Sequence, residues 1–319
     1  MVVVRGIETS CDETGVAVVK SGRTVLSNVV VSSLREHKKY GGIIPEIASR
    51  RQLECIHVFT EEALRKARIS LKKVNAIAVT TKPGLIGSLL VGDAFARGLA
   101  SVLKVPLIEV DHIQAHLYAN FLQTSHKKKR LPVLPAIGLV VSGGHTSLFH
   151  VDHFHRFKLI GQTRDDAAGE TFDKVARILE LGYPGGPLID KLPKKGKEKI
   201  VFSCASLPGS FDFSFSGIKT SVLYFHQKNR LASSCSLSDI AASFQKTVVE
   251  VLVQKAVDAC AHFKCRTLLM GGGVAANSHL RKRLDETARL KKLDVFFPSL
   301  DLCLDNGAMI AGLGYQFLN

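Results

Sequence analysis

The sequence has no tryptophan and only 5 tyrosines among its 319 residues. Proteins that hold single-stranded nucleic acids by stacking need aromatic rings, so this scarcity argues against base recognition by rows of rings. The 7 cysteines include no CxxC pair and no spacing typical of a zinc module, and an odd number cannot all form disulfides within the chain. The cysteine pattern therefore favours a reducing, cytoplasmic setting.

Long uninterrupted apolar runs are also missing. The apolar stretch 76–91 is broken by Lys82, Pro83 and several glycines, so it predicts no membrane span. The first residues reach a charge at Arg5, too early for the apolar core of a signal peptide. We therefore expect a soluble cytoplasmic protein with no membrane partner.

Acidic residues are few relative to basic ones. The chain has 43 Lys and Arg against 28 Asp and Glu, a net charge of +15 at pH 7. Such a surplus favours polyanion partners because binding releases condensed counterions, although an even excess would mark only a basic protein. The basic residues cluster at Lys127–Arg130, 191–199 and 281–292. This clustering favours a surface that follows a nucleic-acid backbone.

Apolar runs and turns follow one order twice along the chain. The first half predicts strands at 2–7, 15–20 and 25–32, a helix at 44–67, a strand at 74–80, a helix at 87–103, a strand at 107–110 and a helix at 111–122. A basic linker covers 123–135. The second half predicts strands at 137–141, 147–151 and 157–162, helices at 172–181 and 238–262, a strand at 267–270, a helix at 277–290, a strand at 295–297 and a closing helix at 306–317.

Each half thus begins with a hairpin and continues as alternating helices and strands. A Rossmann unit differs, because its phosphate loop lies between a strand and a helix. We predict an α/β protein of the ASKHA (actin-like ATPase and sugar kinase) type, with two RNase-H-like domains and a central cleft. The expected domains are 1–131 and 132–319, with the closing helix able to pack back on the first domain.

Two glycine-rich turns in the second half are candidate phosphate loops. Ser142–Thr146 lies between two strands, where consecutive glycines let backbone N–H groups converge on an anion, although a tight hairpin also uses glycine. The run 271–273 lies between a strand and a helix, whose N-terminus favours an anion. Asn277 could cap that helix or bind an adenosine. Together the two turns favour a nucleotide-binding site.

His112 and His116 are spaced i, i+4 in a predicted helix, so both rings lie on one face within reach of one metal ion. Ile113 stands where a zincin metallopeptidase has its general-base glutamate. Asp305 is the natural third ligand, although it could instead cap the closing helix. Such a pair also arises by chance, so the residues alone leave the metal and a structural role open.

Glu8, Asp12 and Glu13 crowd the turn of the first hairpin. Carboxylates there could hold a metal, orient an amine or act as a general base, or they could be solvated turn residues. In the second half, Asp173 and Asp190 flank a Gly-Gly pair that lets the backbone approach a ligand. Asp190 could accept hydrogen bonds from a ribose, although exposed helix carboxylates are the commoner outcome.

Taken in order, these segments resemble the bacterial and organellar tRNA N6-adenosine threonylcarbamoyltransferases, a family once called glycoproteases. The matching strings are GIETSCDET at 6–14, GGIIPEIASR at 41–50, PGLIGSLLVG at 83–92, the histidine pair, SGGHT at 142–146, FDFSFSGIKT at 211–220, GGVAAN at 272–277 and DNGAMIA at 305–311. They cover nearly the whole chain. Two positions depart from the family pattern: Lys82 replaces a usual glycine, and Leu304 replaces a common threonine.

The resemblance implies a metal centre and an adenylate pocket. His112, His116 and Asp305 would bind one divalent ion, iron or zinc. The adenylate substrate would be bound by Ser142, Gly143, Gly144, His145, Thr146, Asp173, Gly186, Asp190 and Asn277. Asp12 and Glu13 would be the catalytic carboxylates, without an assigned role.

The implied reaction transfers the threonylcarbamoyl group from threonylcarbamoyl-AMP to N6 of the adenosine 3′ of the anticodon, in tRNAs reading codons that begin with A, and releases AMP. Similar bacterial proteins work with a paralogous ASKHA partner and a small ATPase. The rival interpretations are a metallopeptidase, a small-molecule kinase of the ASKHA type, and a non-catalytic paralogue, which would lack the metal ligands. A kinase would not need the histidine pair.

Overall fold

The computed structural model describes residues 2–124, 130–192, 196–205, 207–232 and 235–318. Its contacts divide the chain into two compact units. The first unit combines Met1–Pro132 with Pro298–Asn319, and the second unit is Val133–Phe297. The sequence analysis set the domains at 1–131 and 132–319, with the closing helix able to pack back on the first domain.

The helices and strands follow one another in the predicted hairpin-first order. In chain order they are β1 Val3–Glu8, β2 Glu13–Lys20, β3 Thr24–Ser32, α1 Leu34–Lys38, α2 Pro45–Ala67, β4 Ala76–Lys82, α3 Ile86–Leu103, β5 Leu107–Asp111, α4 His112–Tyr118, β6 Ala136–Val141, β7 Thr146–His153, β8 Arg156–Gln162, α5 Ala168–Ile178, α6 Gly185–Lys191, α7 Ser216–Ala232, α8 Leu237–His262, β9 Thr267–Gly271, α9 Ser278–Lys291, β10 Asp294–Phe296 and α10 Gly307–Tyr315. Short 3₁₀ helices cover Leu71–Lys73, Ala119–Phe121, Gly273–Ala276 and Leu300–Leu302.

Each unit is built on a five-stranded sheet with the same topology. The first sheet has the order β3-β2-β1-β4-β5, with an antiparallel meander from β1 to β3 and parallel pairing of β1, β4 and β5. The second sheet has the order β8-β7-β6-β9-β10 with the equivalent pairings. This equivalence confirms the predicted duplication of a hairpin-first α/β unit.

The core of the first unit lies between its sheet and the helices packed on it. All six residues of β1 are buried, as expected for a central strand covered on both faces. Helix α2 begins with Pro45, whose fixed φ suits a first helical turn, and buries Ile56 against Ile7 and Ile77. The packed sheet therefore fixes the position of its strand ends, and the polar residues of the candidate site lie at these ends.

The closing helix α10 explains why the last segment joins the first unit. Residues 307–314 are all buried, and α10 packs on β1 and β2. A Cβ atom on Gly6 would collide with the carbonyl of Gly307, and one on Gly307 would collide with the backbone of β1 and β2. Glycine at both positions permits this close approach, which fixes Asp305 just ahead of the helix.

Helix α3 is the part of the described chain that is long and apolar enough to cross a membrane by length and composition, with 22% of it buried. The breaks that argued against a span, Lys82 and Pro83, precede the helix rather than interrupt it. Helix α3 connects the parallel neighbours β4 and β5 and packs on β4 and α2. This is the position of a crossover helix in an α/β unit. Its side chains Ile86, Leu90 and Val102 are exposed.

Candidate functional site

Polar side chains gather at the carboxyl ends of three neighbouring parallel strands in the first unit. Glu8 ends β1, Thr80 lies near the end of β4, and His112 directly follows β5. Carboxyl ends of parallel strands meet at one edge of a sheet, where α/β proteins place their sites. Asp111 caps α4, because its Oδ1 accepts from the backbone N–H groups of Ile113 and Gln114 at 3.0 and 3.1 Å. The cap starts the helix that carries both histidines.

His112, His116 and Asp305 come together as the sequence predicted. One ligand atom from each lies within 4.8 Å of the others. Asp305 Oδ1 is 3.1 Å from His116 Nε2 and 3.6 Å from His112 Nε2. The two imidazole rings lie one helical turn apart, with centroids separated by 4.6 Å and planes at 78°. Asp305 does not cap α10, since that role belongs to Asn306, whose Oδ1 accepts from Met309 N at 3.0 Å.

His116 provides the test of whether these residues fit a metal ion. Its ring is completely buried, Nε2 faces Asp305 Oδ1 at 3.1 Å, and neither ring nitrogen makes a hydrogen bond of good geometry. A buried imidazole without well-formed hydrogen bonds costs free energy, which coordination of Nε2 would offset. Two imidazoles and one carboxylate suit a divalent transition metal and leave coordination positions open for a substrate. The residues present therefore fit one divalent ion.

Carboxylates dominate the electrostatics around the two imidazoles. Burial acts to lower the pKa of His112, but the charges of Asp305 and Glu8 outweigh it and raise this pKa to about 9. Burial, together with the charges of Asp305 and Asp12, raises the pKa of Glu13 well above its usual range. The negative charge of Asp305 contributes to both shifts, and a divalent cation would offset this excess of negative charge.

The catalytic candidates Asp12 and Glu13 are held in an ordered turn rather than in a solvated one. Asp12 is 8% exposed, and its Oδ2 accepts from the Ser32 hydroxyl at 2.9 Å. The Gln52 amide donates to the backbone carbonyls of Cys11 and Glu13 at 2.8 and 2.9 Å. Strand β2 already begins at Glu13, two residues earlier than predicted.

In the second unit, Ser142–Thr146 connects β6 to β7 and contacts the start of α5. The Ser142 hydroxyl accepts from His145 N at 3.1 Å, and the Thr146 hydroxyl accepts from Ala168 N at 2.9 Å. These bonds fix the loop at both ends. They also bring it next to the N-terminus of α5, where Ala168 N and Gly169 N donate to the loop itself. The positive end of the helix dipole favours an anion there.

The fold itself does not require glycine at positions 143 and 144. Neither has a positive φ, and a Cβ atom on either would meet no atom within 4 Å. By contrast, a Cβ atom on Gly169 would collide with the Ser142 carbonyl, and Gly272 has a φ of 86° and lies against Val141. The space in front of Gly143 and Gly144 therefore suits a ligand better than it suits a tight hairpin that demands glycine.

Asp173, Gly186 and Asp190 lie around α6 in the same unit. Asp173 Oδ1 accepts from Gly185 N at 2.7 Å, although burial raises the pKa of this carboxyl group. A Cβ atom on Gly186 would also meet nothing within 4 Å. Asp190 accepts from the backbone N–H and the hydroxyl of Ser278 at 3.1 and 2.9 Å. It thus ties α6 to the start of α9.

Asn277 caps α9, which was one of its two predicted roles. Its Oδ1 accepts from Leu280 N at 2.9 Å, and its Nδ2 donates to Gln245 Oε1 at 3.2 Å. The side chain is 8% exposed. Both ends of this amide therefore have protein partners.

Thr80 and Ser10 are site residues that the sequence analysis missed, and it placed Glu8 without a defined role. Glu8 accepts from Ser10 N and from the Thr80 hydroxyl at the sheet edge. The side chains of Glu8 and Ser10 both lie within hydrogen-bonding distance of His112 Nδ1. A usable signal was present, because Glu8 and Thr80 end neighbouring strands and parallel strand ends share an edge.

The duplicated sheets define the chain as a protein of the ASKHA class. Solved structures similar to it include full-length HypF in its phosphate- and nucleotide-bound form, with a TM-score of 0.66, 15% identity, and coverage of 100% of this chain and 56% of that chain. Component A of the (R)-2-hydroxyglutaryl-CoA dehydratase of Acidaminococcus fermentans gives a TM-score of 0.58 at 14% identity, covering 99% of both chains. At these identities the likeness shows the fold alone.

Within that class, the chain belongs to the tRNA N6-adenosine threonylcarbamoyltransferase family. The family model matches residues 24–312. Relatives named tRNA N6-adenosine threonylcarbamoyltransferase include one from Fusobacterium nucleatum subsp. nucleatum, 48% identical over 317 residues, or 99% of this chain and 91% of the relative. Another, from Clostridioides difficile, is 47% identical over 322 residues, or 100% of this chain and 94% of the relative. The family resemblance read from the motifs is confirmed.

Proposed function

We propose that the protein transfers the threonylcarbamoyl group from threonylcarbamoyl-AMP to N6 of the adenosine 3′ of the anticodon, in tRNAs that read codons beginning with A, and releases AMP. Family membership along nearly the whole chain supports this acyl transfer. The structural observation that carries it is the cluster of His112, His116 and Asp305, in which the fully buried His116 ring has Asp305 Oδ1 3.1 Å from Nε2 and makes no hydrogen bond of good geometry.

An exocyclic amine is a weak nucleophile, so the carbamoyl carbon must be polarised and its leaving group stabilised. A divalent ion, iron or zinc, bound by His112, His116 and Asp305 would supply Lewis acidity and a template for the substrate. Asp12 and Glu13 lie beside this cluster, and we assign them to the transfer as its carboxylates. Asp12 is 8% exposed, so water is largely excluded from its carboxylate, which strengthens any interaction that it makes with a bound substrate.

The adenylate portion of the donor fits the second unit. The open backbone at Gly143 and Gly144, with the Ser142 hydroxyl, offers donors to the phosphate that leaves with AMP. The buried Thr146 hydroxyl would support this loop by fixing it to the start of α5. His145 completes this loop. Asp173, Gly186 and Asp190 would surround the nucleoside, and Asn277 would line the pocket from the start of α9.

The tRNA partner would be bound mainly through its phosphates, with the anticodon stem-loop as the part recognised. Helix α9 and the residue after it expose Lys282, Arg289, Lys291 and Lys292, which supports the predicted basic surface at 281–292. Two other predicted basic segments fall partly outside the described residues, namely 127–129 of the first and 193–195 of the second. We place the reaction in the cytoplasm.

The protein partners we propose are a paralogous ASKHA protein and a small ATPase. Exposed apolar side chains on α2 and α3 support a protein contact on the first unit, namely Leu53, Ile86 and Leu90. Helices α2 and α3 pack against each other, so exposed apolar side chains on both can contribute to one interaction site. No membrane partner is proposed.

The metallopeptidase and kinase alternatives are disfavoured. Ile113 follows His112 where peptide hydrolysis of the zincin type requires a glutamate. A kinase has no use for the buried His–His–Asp cluster. Family membership supports neither activity.

The deciding experiment incubates the protein and its two partners with labelled threonylcarbamoyl-AMP and unmodified tRNA. Label should enter tRNA that carries adenosine 3′ of the anticodon. A matched tRNA with guanosine at that position should stay unlabelled, since it lacks the N6 amine. Equal labelling of both tRNAs would eliminate that amine as the nucleophile.

A further inference from the structure

Glu8 is a completely buried carboxylate next to the metal-ligand cluster. Its Oε2 lies 3.0 Å from His112 Nδ1 and accepts from the Thr80 hydroxyl at 2.6 Å. Its Oε1 accepts from Ser10 N at 2.5 Å. A burial this complete is costly for a carboxylate unless each oxygen has donors, and both oxygens do.

These contacts decide which nitrogen of His112 carries its proton. Ser10 N can only donate to Oε1, and the Thr80 hydroxyl donates to Oε2, so Glu8 acts as an acceptor at both oxygens. The Nδ1 atom must then donate to Glu8. In the neutral ring, the lone pair is left on Nε2, the nitrogen that lies 3.6 Å from Asp305 Oδ1.

The backbone makes this geometry rigid. Glu8 ends the buried central strand β1, and Thr80 lies on the adjacent strand β4, which pairs with β1 in parallel. Neither side chain depends on a mobile loop for its position. The carboxylate therefore keeps a fixed direction toward His112 before any ligand arrives.

We infer that Glu8 is the positioning residue of the metal centre: by accepting the Nδ1 proton of His112, it fixes the ring orientation and tautomer in which Nε2 can bind a divalent cation. This inference rests on the metal centre proposed above. Carboxylates that orient a metal-bound imidazole in this way commonly strengthen metal affinity by about 10- to 100-fold. Thr80 and Ser10 in turn hold Glu8 in place.

The Ser10 hydroxyl competes with Glu8 as the hydrogen-bond partner of His112 Nδ1. Ser10 Oγ lies 3.1 Å from the same Nδ1 atom. If this hydroxyl donated to an unprotonated Nδ1, the proton would reside on Nε2 and would oppose coordination there. The two possibilities predict opposite effects for Glu8 and Ser10 variants.

Zinc is the probe ion, and its affinity is measured by competition with a chromophoric chelator. Glu8→Ala should raise the zinc dissociation constant by about 10- to 100-fold, whereas Ser10→Ala should leave it close to wild type. Glu8→Gln keeps the side-chain shape, and it replaces Glu8→Ala in the zinc assay if circular dichroism shows that the alanine variant does not fold. The matched control is Glu109→Gln, which removes the charge of an exposed carboxylate on β5 that pairs with Arg97.

A second readout separates orientation from general damage to the fold. Long-range ¹H–¹⁵N spectra of the zinc-loaded wild type should show the proton of His112 on Nδ1, and Glu8→Gln should change that signal without changing His116. Equal zinc affinity in wild type and the Glu8 variants, or a proton on Nε2, would overturn the role of Glu8. Failure of the wild type to bind zinc at all would instead overturn the metal centre, and this inference with it.

Discussion

Arg5 is a buried cation in the centre of the first sheet, and its replacement should stabilise the protein. Its side chain is completely buried on β1. One guanidinium nitrogen, Nη2, donates to the Thr60 carbonyl at 2.7 Å, while Nε and Nη1 make no hydrogen bond. Among the described residues, no carboxylate forms an ion pair with it.

The free-energy cost follows from the pKa. Burial lowers the pKa of Arg5 from an ordinary value of about 12.5 to about 10. Because the folded-state pKa lies below the unfolded-state value, the charged form is less stable in the folded protein, by about 3 kcal/mol at neutral pH. Arg5→Met also removes the hydrogen bond to the Thr60 carbonyl, and this loss cancels about 1 kcal/mol of the gain in stability. We therefore expect Arg5→Met, which fills a similar volume, to raise the free energy of unfolding by roughly 1–3 kcal/mol.

Urea unfolding of wild type and Arg5→Met, followed by circular dichroism, measures this difference. Arg65→Met is the matched control, since Arg65 lies 73% exposed on α2 and pairs only with Glu62. A surface change of this kind is usually worth less than about 0.5 kcal/mol. If Arg5→Met instead lowered stability by more than the control does, the guanidinium would have favourable interactions that burial and hydrogen bonding do not reveal. The reasoning from the pKa would then be refuted.

Three further predictions concern the sites. Elemental analysis should find one divalent metal ion per chain in the wild type and none in His116→Ala, and equal metal content would rule out the proposed ligand set. Gly143→Val should abolish AMP binding in calorimetry without loss of thermal stability, because its side chain would enter open space that only a ligand needs; undiminished affinity would make the loop an ordinary turn. The affinity for tRNA should fall steeply between about 50 and 200 mM salt, and charge reversal at Lys127–Arg130 should reduce tRNA modification while leaving AMP binding nearly unchanged. An affinity that does not respond to salt would exclude phosphate-dominated binding.

Local patterns predicted most of the fold and one half of the site. The i, i+4 spacing brought His112 and His116 to one helix face, and the β-rich runs gave every strand of both sheets. These features depend on residues close in sequence, where period and turn chemistry are informative. Asp305 was reached because it directly precedes a helix that the pattern already showed.

Long-range contacts account for what the sequence did not reveal. Helix α7 was missed because Asp165, about 50 residues upstream, caps it by accepting from the backbone N–H groups of Phe215 and Ser216. Helices α1 and α6 were missed because they are only 5 and 7 residues long, and α6 begins Gly-Gly-Pro, a sequence of low helix propensity. The predicted helix at 111–122 ends as an α-helix at Tyr118 and continues as a 3₁₀ turn.

The division of the first unit between the two ends of the chain has a consequence for synthesis on the ribosome. The second unit, Val133–Phe297, separates the first sheet from α10 and from Asp305. At about 5–20 residues per second, roughly ten to forty seconds pass between the emergence of the sheet and that of its last helix. During that interval the nascent first unit exposes the face that α10 later covers, and it lacks Asp305, one of the three proposed metal ligands. A chain cut short within the second unit would be unable to assemble the proposed His–His–Asp centre, so metal binding by these residues would report that translation reached Asp305.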